Sequence, residues 1–422
     1  MNTFQKTPNR RRVNLMSKRQ LPRWSDLKPI LGFKSPFSKS DAVSRAVTIS
    51  QLRSIGKAKT PRSVFDYTDG AAGEELSYGR ALEAYRRLEF HPHVLRDVST
   101  VDTSISIFGQ KSALPFIFSP TGFTRMMHYQ GEPVVAKVAA EFGIPYTLST
   151  LGTTSIEDLA AAAPDTRKWF QLYLWREKTT RYELVERAAA AGYEAIMLTV
   201  DTVVGGMRVR DVENGLTIPP QLTLKTMADM AKYPKWWGNL LTTKPLEFSS
   251  LKSTGGTVAE LMNNIFDPSI TMKDVEWLKA NWPGKLIVKG VQNVNDAAML
   301  ANAGVDAVVL SNHGGRQLDR SVVPLELLPS VKKAISGTNT QLFIDGGALS
   351  GSDIVGGIGL GADAVLVGRA YLYGIMAGGE AGVRRAAEIL QGEVEQTMRL
   401  MGITSLDQLT PDMVRFRGQE KF

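Results

Sequence analysis

The sequence predicts an α/β fold, a (β/α)8 TIM barrel, and three observations carry that expectation. Eight short apolar runs recur along the chain, each followed by a polar or glycine-rich exit. Ala-rich helical stretches separate several of the runs. Four of those stretches end in a glycine placed to close a helix just before a strand: Gly143, Gly192, Gly304 and Gly361. Strands that alternate with helices at this spacing pair in parallel, and eight such units close on themselves.

The runs are, in order, Phe116 to Ser119, Tyr146 to Ser149, Trp169 to Tyr173, Ala195 to Thr199, Leu286 to Lys289, Ala307 to Ser311, Gln341 to Asp345 and Ala364 to Gly368. Each reads as a strand buried on both faces. One spacing departs from the pattern. From Thr199 to Leu286 the chain is far too long for a single helix, so the fourth βα loop carries an insertion at about residues 212–270. Outside the barrel, set at residues 109–409, the chain divides into a basic tail (1–45), a helical lead-in packed on the barrel (46–108) and a C-terminal tail (410–422).

In such a barrel, reactive groups sit at the C-terminal ends of the strands. The first exit carries Thr121 and Gly122, the second Ser149 and Leu151, the third Gln171 and Tyr173, and the fourth Thr199, Asp201 and Arg208. Lys289 follows the fifth strand, Ser311, His313 and Arg316 the sixth, Asp345, Gly346 and Gly347 the seventh, and Gly368 and Arg369 the eighth. In Ser311-Asn312-His313-Gly314-Gly315-Arg316 a possible proton acceptor stands three residues from a fixed cation. A histidine so placed could take a proton from a carbon or hydroxyl, while the arginine holds the same molecule's carboxylate by two parallel hydrogen bonds. Taken alone, the spacing also suits a polar turn with a solvated arginine. The glycines after strands seven and eight lie where barrels of this kind commonly bind phosphate through backbone N–H groups.

The segments SNHGGRQLD, LTVDT, LIVKGV, FQLY, IDGG, VGRA and FDYTDGAAGEE, in this order-specific combination, resemble the FMN-dependent L-2-hydroxy acid oxidases and dehydrogenases from about Val47 to Leu409. Within that family MRVRDVENG, the long fourth loop and RAYLYGIMAGGEAGV are most similar to the bacterial quinone-linked L-lactate dehydrogenase branch. The resemblance implies His313 as base, Arg316 as carboxylate clamp, and Asp201 as the carboxylate that orients the imidazole and stabilises its protonated form. It implies that Tyr67 binds the substrate carboxylate, that Tyr173 binds its hydroxyl, and that Arg208 adds positive charge. Lys289 is implied beside the flavin, where negative charge builds on reduction. Thr121, Gly122, Ser149, Gln171, Thr199 and Ser311 are implied around the ring system, and Asp345, Gly346, Gly347, Gly368 and Arg369 around the ribityl phosphate. Two positions depart from the family: Leu151 stands where several members carry tryptophan, which widens the pocket, and Leu349 where several carry a phosphate-binding arginine.

The expected activity is oxidation of an L-2-hydroxy acid, foremost L-lactate to pyruvate, with electrons passed through FMN to a membrane quinone. The alternatives are an oxidase that makes hydrogen peroxide, a dehydrogenase for mandelate or glycolate, and a barrel that binds a phosphate ligand without turnover. Whether His313 takes the Cα proton or the hydroxyl proton stays open at this stage. By resemblance the protein is a homo-oligomer, a tetramer. Cysteine is absent and no His/Asp/Glu cluster has ligand spacing, so no metal site is expected.

A formal net charge of +8 raises the question of an acidic partner, but no nucleic-acid motif accompanies it. In the insertion, Lys232 to Leu241 sets Trp236 and Trp237 among lysines and leucines. Such a segment suits seating at an anionic membrane surface. It equally suits packing against the barrel or a neighbouring subunit. No apolar run is long enough to cross a bilayer and the basic N-terminus has no apolar signal core, so the expected location is cytoplasmic, peripheral on the inner face of the cell membrane. Met16 opens the family-like part of the N-terminus and is an alternative start to Met1.

Overall fold

The computed structural model describes residues 41–174, 178–214, 229, 231–244, 246, 248–249 and 266–418. The basic N-terminal tail up to residue 40, and most of the fourth-loop insertion, lie outside the described residues. Twelve strands are described, and eight of them close a parallel barrel: β4 (Phe116–Phe118), β5 (Tyr146–Ser149), β6 (Lys168–Leu172), β7 (Ala195–Thr199), β8 (Lys285–Val291), β9 (Ala307–Leu310), β10 (Gln341–Ile344) and β11 (Ala364–Val367). Strand β11 pairs back onto β4 with Val365 opposite Phe116. All eight apolar runs of the sequence are therefore barrel strands, within a residue or two at their ends.

The alternation along each strand divides the interior. One set, including Ile117, Trp169, Met197, Ile287, Val309, Phe343 and Leu366, fills the barrel axis, while the alternate residues face the helices. The axis is closed from below by a hairpin of β2 (Ile105–Ile107) and β3 (Gln110–Ser112). Its Phe108 ring lies 5.6 Å from Trp169 and 5.8 Å from Phe343. Burying these rings at the N-terminal mouth leaves the C-terminal mouth as the open end.

The four helix-closing glycines behave as their positions suggest. Gly143, Gly192, Gly304 and Gly361 all have positive φ, from 62° to 113°, the left-handed conformation that ends a helix. The lead-in contributes helices Ile49–Lys59, Arg62–Asp69 and Leu76–Arg86, the first capped by Thr48, whose side chain accepts from the Gln51 N–H. Helix Arg62–Asp69 is buried along most of its length and brings Tyr67 to the mouth.

Two boundaries differ from the sequence-based division. Residues 42–45, assigned to the N-terminal tail, form a short helix. Within the segment set apart as a C-terminal tail, Val414–Phe416 forms β12, antiparallel to β1 (Leu88–Phe90). Val414 and Phe416 are 1–2% exposed, so burial of this short apolar pair ties the end of the chain to the lead-in. The helix Arg369–Met401 is broken at Gly378 and Gly379, the latter at φ 59°. A Cβ at Gly379 would meet Gln130 and His128, so the bend there depends on glycine.

Candidate active site

At the C-terminal mouth lies a cleft lined from the end, or the following loop, of every barrel strand. Ser149, Gln171, Thr199, Lys289, Asp345 and Gly368 reach the wall from the ends of six strands, and the loops after β4 and β9 supply Thr121, Gly122, His313 and Arg316. Of the expected site residues, only Asp201 and Ser311 do not line the cleft. Both stand one layer behind it: Asp201 against His313, Ser311 against Lys289.

The turn after β9 is a tight one. His313, Gly314 and Gly315 all have positive φ, 58°, 64° and 77°. A histidine in this region stores strain on the order of 1–3 kcal/mol, held here because its N–H donates to Ser311 Oγ at 3.0 Å and its ring to Asp201. His313 Nδ1 lies 3.0 Å from Asp201 Oδ1, which leaves Nε2 for the cleft. The imidazole side chain is 27% exposed and the carboxylate 2%. Burial alone would raise the Asp201 carboxyl, but His313, Lys289 and hydrogen bonding outweigh it and hold its pKa below the ordinary carboxylate value. An ionised Asp201 fixes the proton on Nδ1 and favours the imidazolium once formed.

The close approach of Asp201 depends on Gly290 in β8. This glycine sits in a bulge at φ 103°, and a Cβ there would lie 2.7 Å from Asp201 Cβ and Cγ. The glycine of LIVKGV thus makes room for the carboxylate of LTVDT. Gln317 locks the same loop: its Nε2 donates to the carbonyls of Asp201 (3.0 Å) and Val204 (2.9 Å), and its Oε1 accepts from the Gly206 N–H (3.1 Å).

Facing His313 is a concentration of positive charge. The guanidinium of Arg316 lies 4.9 Å from the Tyr67 ring centroid and that of Arg208 5.4 Å from the same ring. Burial pulls Arg316 down to about 10, with Arg208 and Arg369 adding repulsion. An anion placed between these groups relieves that cost. Arg316 donates to the carbonyls of Tyr67 and Gly70, which aim the guanidinium from the lead-in helix. Tyr173 is 7% exposed, and burial followed by the nearby Asp201 charge raises its phenol, so it stays protonated and able to donate. Leu151, 8% exposed, forms part of the wall.

The deeper half of the cleft carries polar atoms with no protein partner. Gln171 accepts from Ser149 Oγ (2.9 Å) and the Thr150 N–H (3.3 Å), while its Nε2 has none; Thr199 Oγ1 and Asp345 Oδ1 are likewise unpartnered and buried. Buried donors and acceptors of this kind cost roughly 1–3 kcal/mol each unless a ligand satisfies them. Lys289 Nζ lies 2.8 Å from both Ser311 Oγ and Asp345 Oδ2, a buried cation held between strands five and seven. Thr121 Oγ1 meets the Tyr371 hydroxyl at 2.6 Å. Toward the other end, Gly346 and Gly347 have φ of 90° and 102°, and Gly368 precedes the N-terminus of the helix Arg369–Met401. Bare backbone N–H groups at a helix start suit a phosphate. These features together fit FMN: unpartnered groups for a heteroaromatic edge, a buried cation beside them, and a glycine-lined end for an anionic tail.

Arg369 is more committed than its sequence position suggested. It donates to the carbonyls of Thr68 (3.0 Å), Gly314 (2.9 Å) and Gly70 (2.8 Å), and lies 4.1 Å from the Tyr78 ring centroid. It joins the 68–70 turn to the His313 turn while still lining the cleft. Sequence reasoning missed this turn, because its contribution is made by backbone carbonyls. It also missed the buried Asp69, which accepts from Arg53, Arg210 and the Tyr373 hydroxyl. The acidic run within FDYTDGAAGEE was the available signal. In the insertion, Trp236 is turned inward, its Nε1–H donating to the Met126 carbonyl at 2.9 Å, with the Trp237 ring 5.3 Å away.

The residue pattern of the FMN-dependent dehydrogenase family matches residues 56–416. A Mycobacterium tuberculosis protein named "Putative L-lactate dehydrogenase" is 54% identical over 395 residues, 93% of this chain and 95% of that protein. The L-lactate dehydrogenase of Serratia proteamaculans is 37% identical over 370 residues, 86% of this chain and 97% of its own length. Among solved structures, that of the monotopic membrane protein (S)-mandelate dehydrogenase superposes with a TM-score of 0.84 at 33% identity, covering 88% of this chain and all of that one. With a match over most of its length and relatives of this identity, the chain belongs to the FMN-dependent dehydrogenase family.

Proposed function

We propose that the protein oxidises L-lactate, or a similarly small L-2-hydroxy acid, to the 2-oxo acid. The observation that carries this reading is the juxtaposition of His313, backed by Asp201 at 3.0 Å, with Arg316, Arg208 and Tyr67 in a single cleft. A 2-hydroxy acid has a carboxylate one bond from the carbon that is oxidised. Arg316 and Arg208 take the carboxylate, Tyr67 packs beneath the two guanidiniums, and the Tyr173 hydroxyl donates to the substrate oxygen. His313 Nε2 accepts the proton and Asp201 stabilises the imidazolium. Holding the carboxylate and the reacting carbon at two fixed points beside a flavin on one side selects a single enantiomer.

FMN, when bound, supplies the two-electron acceptor for this chemistry. Gln171 Nε2, Thr199 Oγ1, Ser149, Thr121 and Gly122 would hold its ring, with Lys289 and Ser311 beside the edge that gains negative charge. Gly346, Gly347, Gly368, Asp345 and Arg369 would hold the ribityl phosphate. Leu349 lines this end without offering a donor, so the backbone N–H groups carry more of the anion's binding. Tyr173, Phe266 and Leu151 supply the bulky part of the wall on the substrate side.

The electrons pass on to a quinone, and the protein works as a homotetramer held peripherally at the inner membrane surface. Supporting the membrane placement are the membrane association named for the mandelate dehydrogenase relative and a fourth-loop helix, Pro234–Leu241, that leaves Leu241 74% exposed. Anaerobic titration of the purified holoenzyme with L-lactate, glycolate and mandelate tests the substrate assignment. Loss of the yellow flavin colour with L-lactate first is expected. A colour that persists with every hydroxy acid would overturn the reading. Comparison of quinone and oxygen as reoxidants then separates dehydrogenase from oxidase.

A further inference from the structure

A second cavity shares a wall with the first. It lies among the helix Pro234–Leu241, the end of the helix Ile49–Lys59 and the Gly378 bend, and encloses about 1110 Å³ including its opening. Met127, only 1% exposed, lines both cavities. Tyr129, Tyr233, Trp236, Leu240 and Met376 give the second cavity an aromatic and aliphatic interior. The Trp236 indole is a fixed wall, because its N–H is committed to the Met126 carbonyl.

The charged groups around that interior have one sign. Lys59, Arg125, Lys232 and Lys235 line it together with His128, and no carboxylate among the described residues does. Burial, with Lys59 nearby, pulls His128 down to about 4, so the imidazole is neutral at physiological pH. An occupant matched to these walls is largely apolar, suited to aromatic neighbours, and carries hydrogen-bond acceptors rather than positive charge. It also shares Met127 as a lining residue with the cleft where the hydroxy acid's electrons are released.

We propose that this cavity receives the ring of a quinone, the second substrate, with the quinone tail leaving toward the exposed Leu241; the proposal rests on the reading that electrons go to a quinone. Oxidation of the hydroxy acid releases two electrons and two protons, from the hydroxyl and from Cα. The quinone takes up two electrons and two protons, and its two carbonyl oxygens become the hydroxyls of a quinol. The basic lining favours the ring as negative charge builds on those oxygens.

The test uses detergent-solubilised holoenzyme and a short-chain quinone, so that membrane docking plays no part. Leu240→Trp fills the cavity, and Asn239→Trp approaches it from the neighbouring position in case the first variant folds poorly. Flavin reduction by L-lactate, turnover with a soluble dye as acceptor, and KM for the quinone are measured on each. The expected result is a rise in quinone KM of about tenfold or more with lactate-driven flavin reduction and dye turnover within about twofold of wild type. Wild-type quinone turnover with an unchanged KM in both variants would overturn the site while leaving the acceptor assignment intact. Lactate-driven flavin reduction with no quinone turnover in the wild type would instead sink the acceptor assignment. Co-sedimentation with anionic vesicles, run separately on detergent-free protein, completes the test: loss of vesicle binding in the variants with an unchanged quinone KM would mark the cavity as a lipid site and also overturn the proposal.

Discussion

Replacing Asp201 by Asn isolates the charge behind the base. The side chain is almost isosteric and its amide oxygen still accepts from His313 Nδ1–H, so the 3.0 Å contact survives and the negative charge does not. With charge centres roughly 4 Å apart and an effective dielectric of about 20, the carboxylate favours the imidazolium by about 4 kcal/mol. The amide dipole retains part of this, leaving a net loss of about 3 kcal/mol in the step that protonates His313. At 1.36 kcal/mol per tenfold, the rate of flavin reduction should fall by roughly 10²-fold. Binding of the substrate should change little, since the proposed carboxylate clamp of Arg316 and Arg208 is untouched. Stopped-flow flavin reduction over a range of L-lactate concentrations gives both quantities. A rate within about threefold of wild type, or a loss expressed only in substrate affinity, would refute a role for Asp201 in stabilising the protonated base.

Other substitutions probe separate parts of the site. Arg316→Lys should raise KM for L-lactate by about tenfold or more and lower kcat less, because an ammonium cannot reproduce the fork or reach both the Tyr67 and Gly70 carbonyls; steady-state kinetics check this. Leu151→Trp should lower kcat/KM for 2-hydroxybutyrate more than for lactate, and an unchanged ratio would remove Leu151 from the substrate wall. Gly290→Ala should displace Asp201, since a Cβ would stand 2.7 Å from its Cγ in a backbone conformation that disfavours alanine; a drop in flavin reduction rate with a lowered melting temperature is expected, and wild-type values for both would contradict the close packing.

The barrel was readable because its strands are buried on both faces, so that apolar runs such as Ala307–Leu310 stand out without any need for alternation. The helix-ending glycines were readable for an equally local reason, their positive φ. His313 and Arg316 stood out because an imidazole and a guanidinium follow directly on an apolar run, and both side chains reach the cleft. Contributions made by backbone were not. The carbonyls of Tyr67, Thr68 and Gly70 aim Arg316 and Arg369, and nothing in the identity of those residues announces it. Pairings across the barrel were hidden as well: Lys289 and Asp345 read as independent strand ends, yet they form one buried ion pair. Strand β12 escaped notice because a three-residue strand in a polar context gives no period to read. Trp236 showed the limit of composition, since two readings suited its neighbours and only its bond to Met126 turns it inward.

The central claim is that His313 is the base of a flavin-dependent oxidation whose cofactor contacts lie elsewhere in the cleft. The most direct measurement is anaerobic stopped-flow reduction of the His313→Gln holoenzyme by L-lactate, with its FMN content determined on the same sample. FMN should be retained near stoichiometry, because Gln171, Thr199, Lys289 and the glycine-lined end are untouched, while reduction slows by ~10²–10⁴-fold or more. Reduction at more than about a tenth of the wild-type rate with FMN fully bound would contradict the account.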